Sequence, residues 1–365
     1  MAKRTTKKKS ASSDAAKIEK AIEKLDRELV KLSNERAKLY QSLDGAERIR
    51  MFDLDKESRS IEKLVDANRG PLDSQCVRAV LRELNSGSRA LVALQRVAYL
   101  GPQYSYSYLA ACERFGTSVE IVPVSTIKAV FEEVQDGQSD FGIVPIENST
   151  DGRIVDTLGM FAQMPVRICG EVEFPIHHYL LGKGSRGDIR EVYSKPQALS
   201  QCREWISHHL PSAKVVESSS TTAAAEAAGK SKVVAAIASR EAGIQYGLDV
   251  LAANIEDNKN NVTRFAIIGN QSPSRTGHDK TSIMFELAHK PGALADAMSI
   301  FKRNRLNLTW IESFPMSGLK NEYLFFVELE GFESEMKVKR TLAALEKKTV
   351  RLVVLGSYAK SRAAD

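Results

Sequence analysis

The run Val144 to Asp156, VPIENSTDGRIVD, sets a carboxylate, an amide and two hydroxyls (Glu147, Asn148, Ser149 and Thr150) at the end of an apolar stretch. A carboxylate can take or return a proton, an amide can hold a substrate oxygen, and a hydroxyl can donate to a leaving group once a rigid site directs it. A second run, NKNNVTRFAIIG (Asn258 to Gly269), puts Thr263 and Arg264 at the entry to another apolar strand. A Ser, Thr or Asp before a helix is most often only a cap. A cap alone rarely needs Glu and Asn beside it.

The elements that must position these groups follow from the apolar pattern. Phe141 to Val144 reads as a short buried strand that Pro145 breaks, so that Glu147 to Thr150 fall on a turn. Asp151-Gly152 supplies turn residues, and Ile154 to Phe161 has helical spacing. From Val97 onward, short β-rich runs alternate with helices: VAYLG, a helix from Ser107 to Phe115, VEIVPV, a helix from Ile127 to Asp136, and FGIVPI. EVYS, a helix from Pro196 to His208, AKVVES, a helix from Thr222 to Ala228, and VVAAIAS form a second set before NVTRFAIIG returns. Such alternation predicts parallel α/β units, which bind ligands at strand carboxyl ends.

The flanks differ. Ile18, Ile22, Leu25, Leu29, Leu32, Leu39 and Leu43 mark one helix from about Asp14 to Leu43, with Arg36 as the single charge on its apolar stripe. At 1.5 Å per residue it would be about 45 Å long, too long for a small monomeric bundle, so it should pack against a partner chain. Helices from Asp55 to Asn68 and Asp73 to Leu94 should follow. After the polar linker QSPSRTGHDK, the order is strand (281–287), helix (292–304), strand (307–312), strand (323–330), helix (334–347), strand (350–357). That is the βαββαβ order of a ferredoxin-like sandwich.

Bulk properties exclude several classes. The chain has 365 residues, enough for two or three cores. Of 52 Lys and Arg against 46 Asp and Glu, five lie in the leader MAKRTTKKKSASS, leaving a nearly neutral body and no case for a nucleic-acid binder. No apolar run approaches the roughly 20 residues of a membrane span. Cys76, Cys112, Cys169 and Cys202 are scattered, as isolated core thiols in a reducing compartment would be. His177-His178 and His208-His209 read as ordinary surface histidines, since adjacent residues diverge. Gly182, Gly184 and Gly187 match GxGxxG, but a strand follows where a dinucleotide site needs a helix, so a loop is expected.

Taken together, the two polar runs resemble prephenate dehydratase. The resemblance extends through YLGPQYSYSYLAA (Tyr99 to Ala111), YSKPQALSQC (Tyr193 to Cys202), STTAAAEAA (Ser220 to Ala228) and REAGIQYGLDVLAANIEDN (Arg240 to Asn258), in the family's order. The flanks resemble the chorismate mutase-like and ACT regulatory domains fused to it in the same family. The organisation implied is a disordered basic leader (1–13), an all-α head (14–96), a two-lobed α/β catalytic domain like a periplasmic binding protein (97–270), a linker (271–280) and a ferredoxin-like α+β ACT domain (281–360). The expected activity is conversion of prephenate to phenylpyruvate, carbon dioxide and water without cofactor or metal, in a cytoplasmic homodimer or homotetramer.

By this resemblance Thr263 donates to the departing hydroxyl and Asn148 holds the substrate, while Glu147 fixes the loop or relays a proton. Ser149, Ser194, Gln201 and Thr221 supply neutral donors, and Arg264 orients Thr263 or balances substrate charge. Tyr104 stands where the family has glycine, and Tyr108 where histidine is common.

In the head, Arg36, Asp53, Glu57 and Ser88 match the mutase pattern and Lys56 replaces an arginine. Glu19 takes the place of the first-helix arginine, Asp44 or Glu47 that of a lysine, and Val92 that of a glutamine. Lys17 or Lys20, and Arg48 or Arg50, are the cations that could substitute. These departures predict a degenerate, dimerising or regulatory head; the alternative is a fully bifunctional enzyme that also takes chorismate.

In the tail, L-phenylalanine is expected between subunits at Gly292-Ala293-Leu294 and at a turn Glu312-Ser313-Phe314-Pro315, where Phe314 replaces arginine. A non-catalytic amino-acid sensor is the rival from another class, and the intact PIENS and TRF runs weigh against it.

Overall fold

The computed structural model describes residues 5–43, 53–315 and 323–361, without the side chains of 5–13 and 315. Asp44, Glu47, Arg48 and Arg50 therefore lie outside the described residues.

Three helices form the head: α1 (Thr5–Gln41), α2 (Leu54–Ala67) and α3 (Ser74–Ala90). The first begins at Thr5 rather than Asp14 and takes in most of the basic leader; the third stops at Ala90, short of the expected Leu94. Asp53 and Asp73 accept backbone N–H groups at the starts of α2 and α3, which explains where those helices begin. Ile18, Ile22, Leu25, Leu29, Leu32 and Leu39 of α1 are each more than half exposed in the single chain. Arg36 instead turns inward to α3, where it donates to Asn85 and Ser88.

The first lobe follows: β1 (Arg96–Leu100), α4 (Tyr106–Phe115), β2 (Glu120–Val124), α5 (Ile127–Gln135), β3 (Phe141–Asn148), β4 (Gly152–Arg153), α6 (Val155–Gln163) and β5 (Arg167–Pro175). The chain then crosses to a second lobe of β6 (Tyr179–Gly182), β7 (Glu191–Ser194), α7 (Pro196–Gln201), α8 (Arg203–His209), β8 (Lys214–Glu217), α9 (Thr221–Ala228), β9 (Val234–Ala238), α10 (Arg240–Gln245) and β10 (Asp249–Ala252). β11 (Val262–Gly269) returns and inserts between β3 and β5, giving the order β2-β1-β3-β11-β5 in the first sheet and β10-β6-β9-β7-β8 in the second. Both sheets are mixed. β1, β2 and β3 pair in parallel, while β11 runs antiparallel to both of its neighbours.

Three local expectations change. Pro145 does not end its strand: β3 runs on to Asn148, because a bulge at Ile146 lets Pro145 face Phe265 and Glu147 face Arg264. The helix expected from Pro196 to His208 is two helices meeting at Cys202, whose ψ of 16° breaks the regular turn. Cys76 is exposed, whereas Cys169 and Cys202 are buried as expected. The glycine triplet at 182–187 leads from β6 through a single 3₁₀ turn into strand β7, as a loop should.

The C-terminal part comprises β12 (Asp279–Glu286), α11 (Ala293–Arg303), β13 (Leu308–Pro315), β14 (Tyr323–Glu330), α12 (Met336–Glu346) and β15 (Arg351–Ala359). Its antiparallel sheet has the order β13-β14-β12-β15. Met284, Phe314, Phe326, Leu355 and Tyr358 from this sheet share one core with Phe131, Phe161 and Ile168 of the first lobe. A Cβ on Gly356 would meet the Ile168 carbonyl oxygen at 2.0 Å, so only glycine allows β15 to lie this close to β5. Asp55 of α2 joins all three parts: it pairs with Arg114 at 2.6 Å and accepts from the Ala359 amide at 3.1 Å. No helix among the described residues is long and apolar enough to cross a membrane.

Candidate active site

The insertion of β11 beside β3 brings the two polar runs together. Thr263 at the start of β11 pairs with Asn148 at the end of β3, and the parallel strands β1 and β3 point their carboxyl ends toward this level. Gly152, at a φ of 81°, closes the β3–β4 hairpin that holds the intervening loop. Ser149 fastens that loop to β11: its hydroxyl donates to the Asn260 carbonyl and accepts from the Val262 amide, both at 3.0 Å.

Asn148 is 2% exposed, and its orientation can be settled by elimination. The amides of Thr150 and Asp151 both reach Asn148 Oδ1 at 3.0 Å. A backbone N–H can only donate, so the oxygen lies there and the NH₂ faces the other way. That NH₂ donates to Thr263 Oγ1 at 2.8 Å and to Asn261 Oδ1 at 2.9 Å. Thr263 is thereby an acceptor from Asn148, and its own proton has no acceptor among the described residues.

Gln201 reaches the same cluster from the second lobe. Its Nε2 donates to Asp151 Oδ2 at 2.7 Å, and its Oε1 accepts from Asn261 Nδ2 at 3.0 Å. Gln197 also donates to Asp151 Oδ2, at 2.5 Å. The two lobes meet again where Thr222 and Ser239 donate to the carbonyls of Gln103 and Tyr104. Tyr104 holds a φ of 64°, a value that suits glycine, and bonds Gln245 across the gap while its ring sits edge-on to Tyr108.

Two expected donors have different settings. Ser194 is fully buried and gives its proton to the Ile237 carbonyl at 2.6 Å, so it can offer a ligand only lone pairs. Thr221 opens α9 with its hydroxyl unpartnered among the described residues, and is the free neutral donor of the set.

Glu147 and Arg264 do not join the cluster, contrary to the roles expected of them. Adjacent strand residues point to opposite faces, so the pair that flanks Asn148 and Thr263 must face away from them. Arg264 meets Glu147 and Glu328 at 2.7 Å and Glu171 at 3.2 Å, with its guanidinium carbon 5.3 Å from the centre of the Trp310 ring. Lys280 completes the group, at 2.5 Å from Glu171 and 3.0 Å from Glu328. Burial disfavours the Arg264 charge, but Glu328 and Glu171 outweigh it and hold the guanidinium more firmly protonated than usual.

The head and tail residues divide similarly. Arg36 and Ser88 are joined at 3.1 Å, but Glu57 pairs with the buried Arg89, and Asp53 caps α2 while accepting from the Ser274 amide. Lys56 is exposed, and Glu19 lies on the exposed part of α1. In the tail, Glu312 to Phe314 lie within strand β13 rather than on a turn, and the Pro315 side chain is outside the described residues. Phe314 is 7% exposed and packs in the shared core, so it adds no open apolar surface for an effector. Glu286 and Phe314 are both level with Leu324 of β14. The segment thus shares one end of the sheet with the loop to α11, where Gly292 at a φ of 83° precedes Ala293 and the 42%-exposed Leu294.

The sequence reading missed Asn261, Asp151 and His178. Asn261 lies two residues before Thr263 and shares its strand face, a signal that the period of two could have supplied. In sequence Asp151 reads only as a turn residue. In sequence His178 reads as a surface histidine, yet it is 1% exposed and bonds Gln201. His177 is partly exposed, and His208 and His209 are exposed.

Residues 97–273 match the prephenate dehydratase family. A bifunctional chorismate mutase/prephenate dehydratase of Aquifex aeolicus is 39% identical over 352 residues, 94% of this chain and 97% of that protein. One from Pseudomonas aeruginosa is 39% identical over 350 residues, 93% of this chain and 96% of that protein. The solved prephenate dehydratase of Arthrobacter aurescens, in complex with L-Phe, is 33% identical with a TM-score of 0.68, covering 73% of this chain and 90% of that one. With the PIENS and TRF runs meeting as they do, the chain belongs to the bifunctional chorismate mutase/prephenate dehydratase family, and its lyase is a prephenate dehydratase.

Proposed function

We propose that Thr263 is the donor in the dehydration of prephenate. The carboxylate-bearing C–C bond breaks and releases carbon dioxide, its electron pair enters the ring, and the ring C–O bond breaks as the hydroxyl takes a proton to leave as water. The observation that carries this role is the orientation of Asn148, which leaves the Thr263 proton without an acceptor among the described residues. A hydroxyl is a weak acid, so its use rests on being held in a rigid, buried setting as charge develops on the leaving oxygen. Thr221, at the N-terminus of α9, where Ser220 caps the Ala223 amide, suits a substrate carboxylate. Purified chain supplied with prephenate should form phenylpyruvate; binding without turnover would favour the sensor reading instead.

Feedback by L-phenylalanine is the second part of the proposal, supported by the structure of the Arthrobacter aurescens relative with that amino acid. In this chain, Arg153 of the catalytic loop pairs with Glu312 of the expected effector segment at 2.6 Å, a contact through which occupancy could reach the site. The exposed stripe of α1 supports a homo-oligomer, and a biosynthetic role supports a cytoplasmic location.

For the head, the relatives' names favour the bifunctional alternative over the degenerate reading. We therefore take the head as a mutase that acts on chorismate, slowed by Glu19, by Val92 and by the engagement of Glu57 with Arg89. Turnover of chorismate should be measurable but below that of prephenate, and Arg36→Ala should remove it while leaving dehydration intact. Loss of both activities in that variant would contradict the separation of the sites.

A further inference from the structure

His178 lies on the crossover from β5 to β6, where the chain leaves the first lobe for the second. Its backbone is fixed on both sides: the amide donates to Glu256 Oε2 at 2.9 Å, and the carbonyl accepts from the Ile255 amide at 2.9 Å. Its ring bridges two elements. Nδ1 stands 2.9 Å from the Tyr106 hydroxyl at the start of α4, and Nε2 stands 2.8 Å from Gln201 Oε1 at the end of α7. Nothing in the proposed mechanism uses this ring.

The direction of each bond can be worked out from groups whose roles are fixed. A carboxylate only accepts, so Asp151 Oδ2 requires the NH₂ of Gln201 at its side. Gln201 Oε1 then faces His178, and an oxygen facing a ring nitrogen requires that Nε2 carry the proton. Burial is the main influence on the ring and keeps it neutral, so Nδ1 is bare and takes the Tyr106 proton, with the His177 carbonyl at 2.8 Å as that hydroxyl's competing acceptor. Tyr106, Glu256, Asp151 and His177 are the charged or titratable groups around it.

We propose that His178 is a positioning residue for dehydration: its Nε2–H holds Gln201 Oε1, and so fixes the amide that, with Asn261 and Asp151, sets Asn148 against Thr263. This rests on the Thr263 reading. Without the His178 donor, Gln201 keeps its Asp151 contact but loses one of the two donors on its oxygen, and Asn261 is left as the one donor that holds that oxygen in place among the described residues. Displacement of about 1 Å at a reacting group can cost on the order of 100-fold in rate.

The test is steady-state kinetics on prephenate with the full-length chain carrying His178→Gln, His178→Asn or His178→Leu, alongside Thr263→Ala. A glutamine places an N–H near the position of Nε2, whereas an asparagine reaches only the position of Nδ1. The expected result is a fall in kcat of about 10- to 100-fold for the Asn and Leu variants, KM within about threefold, and recovery to within about fivefold for the Gln variant. Equal kcat in the Gln and Asn variants, or near-normal kcat in the Leu variant, would overturn the proposal. Should the Leu variant fail to fold, as judged by its melting transition, the Gln against Asn comparison decides alone. The two readings fail separately. Normal turnover in Thr263→Ala removes the donor role, while a dead Thr263→Ala with normal His178 variants removes only the positioning role.

Discussion

Thr263 and Arg264 are consecutive residues of one strand, and the two faces they serve are built on opposite principles. On the Thr263 face, Asn148, Asn261 and Gln201 form a chain of neutral amides that ends on the single carboxylate of Asp151. On the Arg264 face, two cations and three carboxylates are locked together across the boundary with the C-terminal sheet. A neutral chain fixes the direction of each proton without repelling a substrate that carries two carboxylates. An ionic cluster is tolerant of direction but intolerant of losing a member, because the remaining charges are then buried without a partner. The first arrangement suits orientation, and the second suits mechanical attachment of a regulatory sheet to the catalytic strand.

The largest effect that would sharpen this contrast is expected at Asn148. Asn148→Ala removes the donor to Thr263 and leaves the Thr150 and Asp151 amides without their acceptor. Turnover of prephenate should fall by about 100-fold or more. A loss below tenfold would mean that the amide chain does not orient the donor.

Arg264→Met should act mainly on stability and regulation. It strands Glu147 and leaves Lys280 as the one cation paired with Glu171 and Glu328 among the described residues, a change expected to cost about 3–5 kcal/mol. Urea unfolding checks that cost; for the folded variant, kcat should change by less than about tenfold while inhibition by L-phenylalanine weakens. A stable variant with collapsed kcat and normal inhibition would return Arg264 to the substrate face.

The smallest effect is a pH dependence. Burial holds the His178 imidazole below its ordinary value of about 6.5. The folded chain therefore binds fewer protons than the unfolded one as the pH falls through that value, and stability present above it is lost on acidification. Between pH 7 and 5 the melting temperature should fall by a few degrees more in the native chain than in His178→Gln. Equal falls would show that the imidazole is not held neutral.

The outline of the fold was legible because its signals are local: apolar runs of strand length, capping residues such as Asp53 and Asp73, and the βαββαβ order of the tail. Thr263 and Asn148 were legible as polar residues at strand ends. What sequence could not supply was register. The bulge at Ile146 keeps Pro145 inside a strand, and only the β3–β11 pairing shows that Glu147 faces Arg264. Burial was equally hidden: Phe314 reads as an altered effector residue until the contact between the two sheets places it in a core. His178 was obscured because its partners, Tyr106 and Gln201, come from distant segments.

The central claim is that the Thr263 hydroxyl supplies the proton to the leaving group, and turnover of prephenate by Thr263→Val against Thr263→Ser tests it most directly. Valine keeps the branched shape without a donor, and serine keeps the donor without the methyl. The account predicts a kcat reduced by about 100-fold or more for valine and by less than tenfold for serine, with both variants folded. Comparable kcat in the two variants would contradict it.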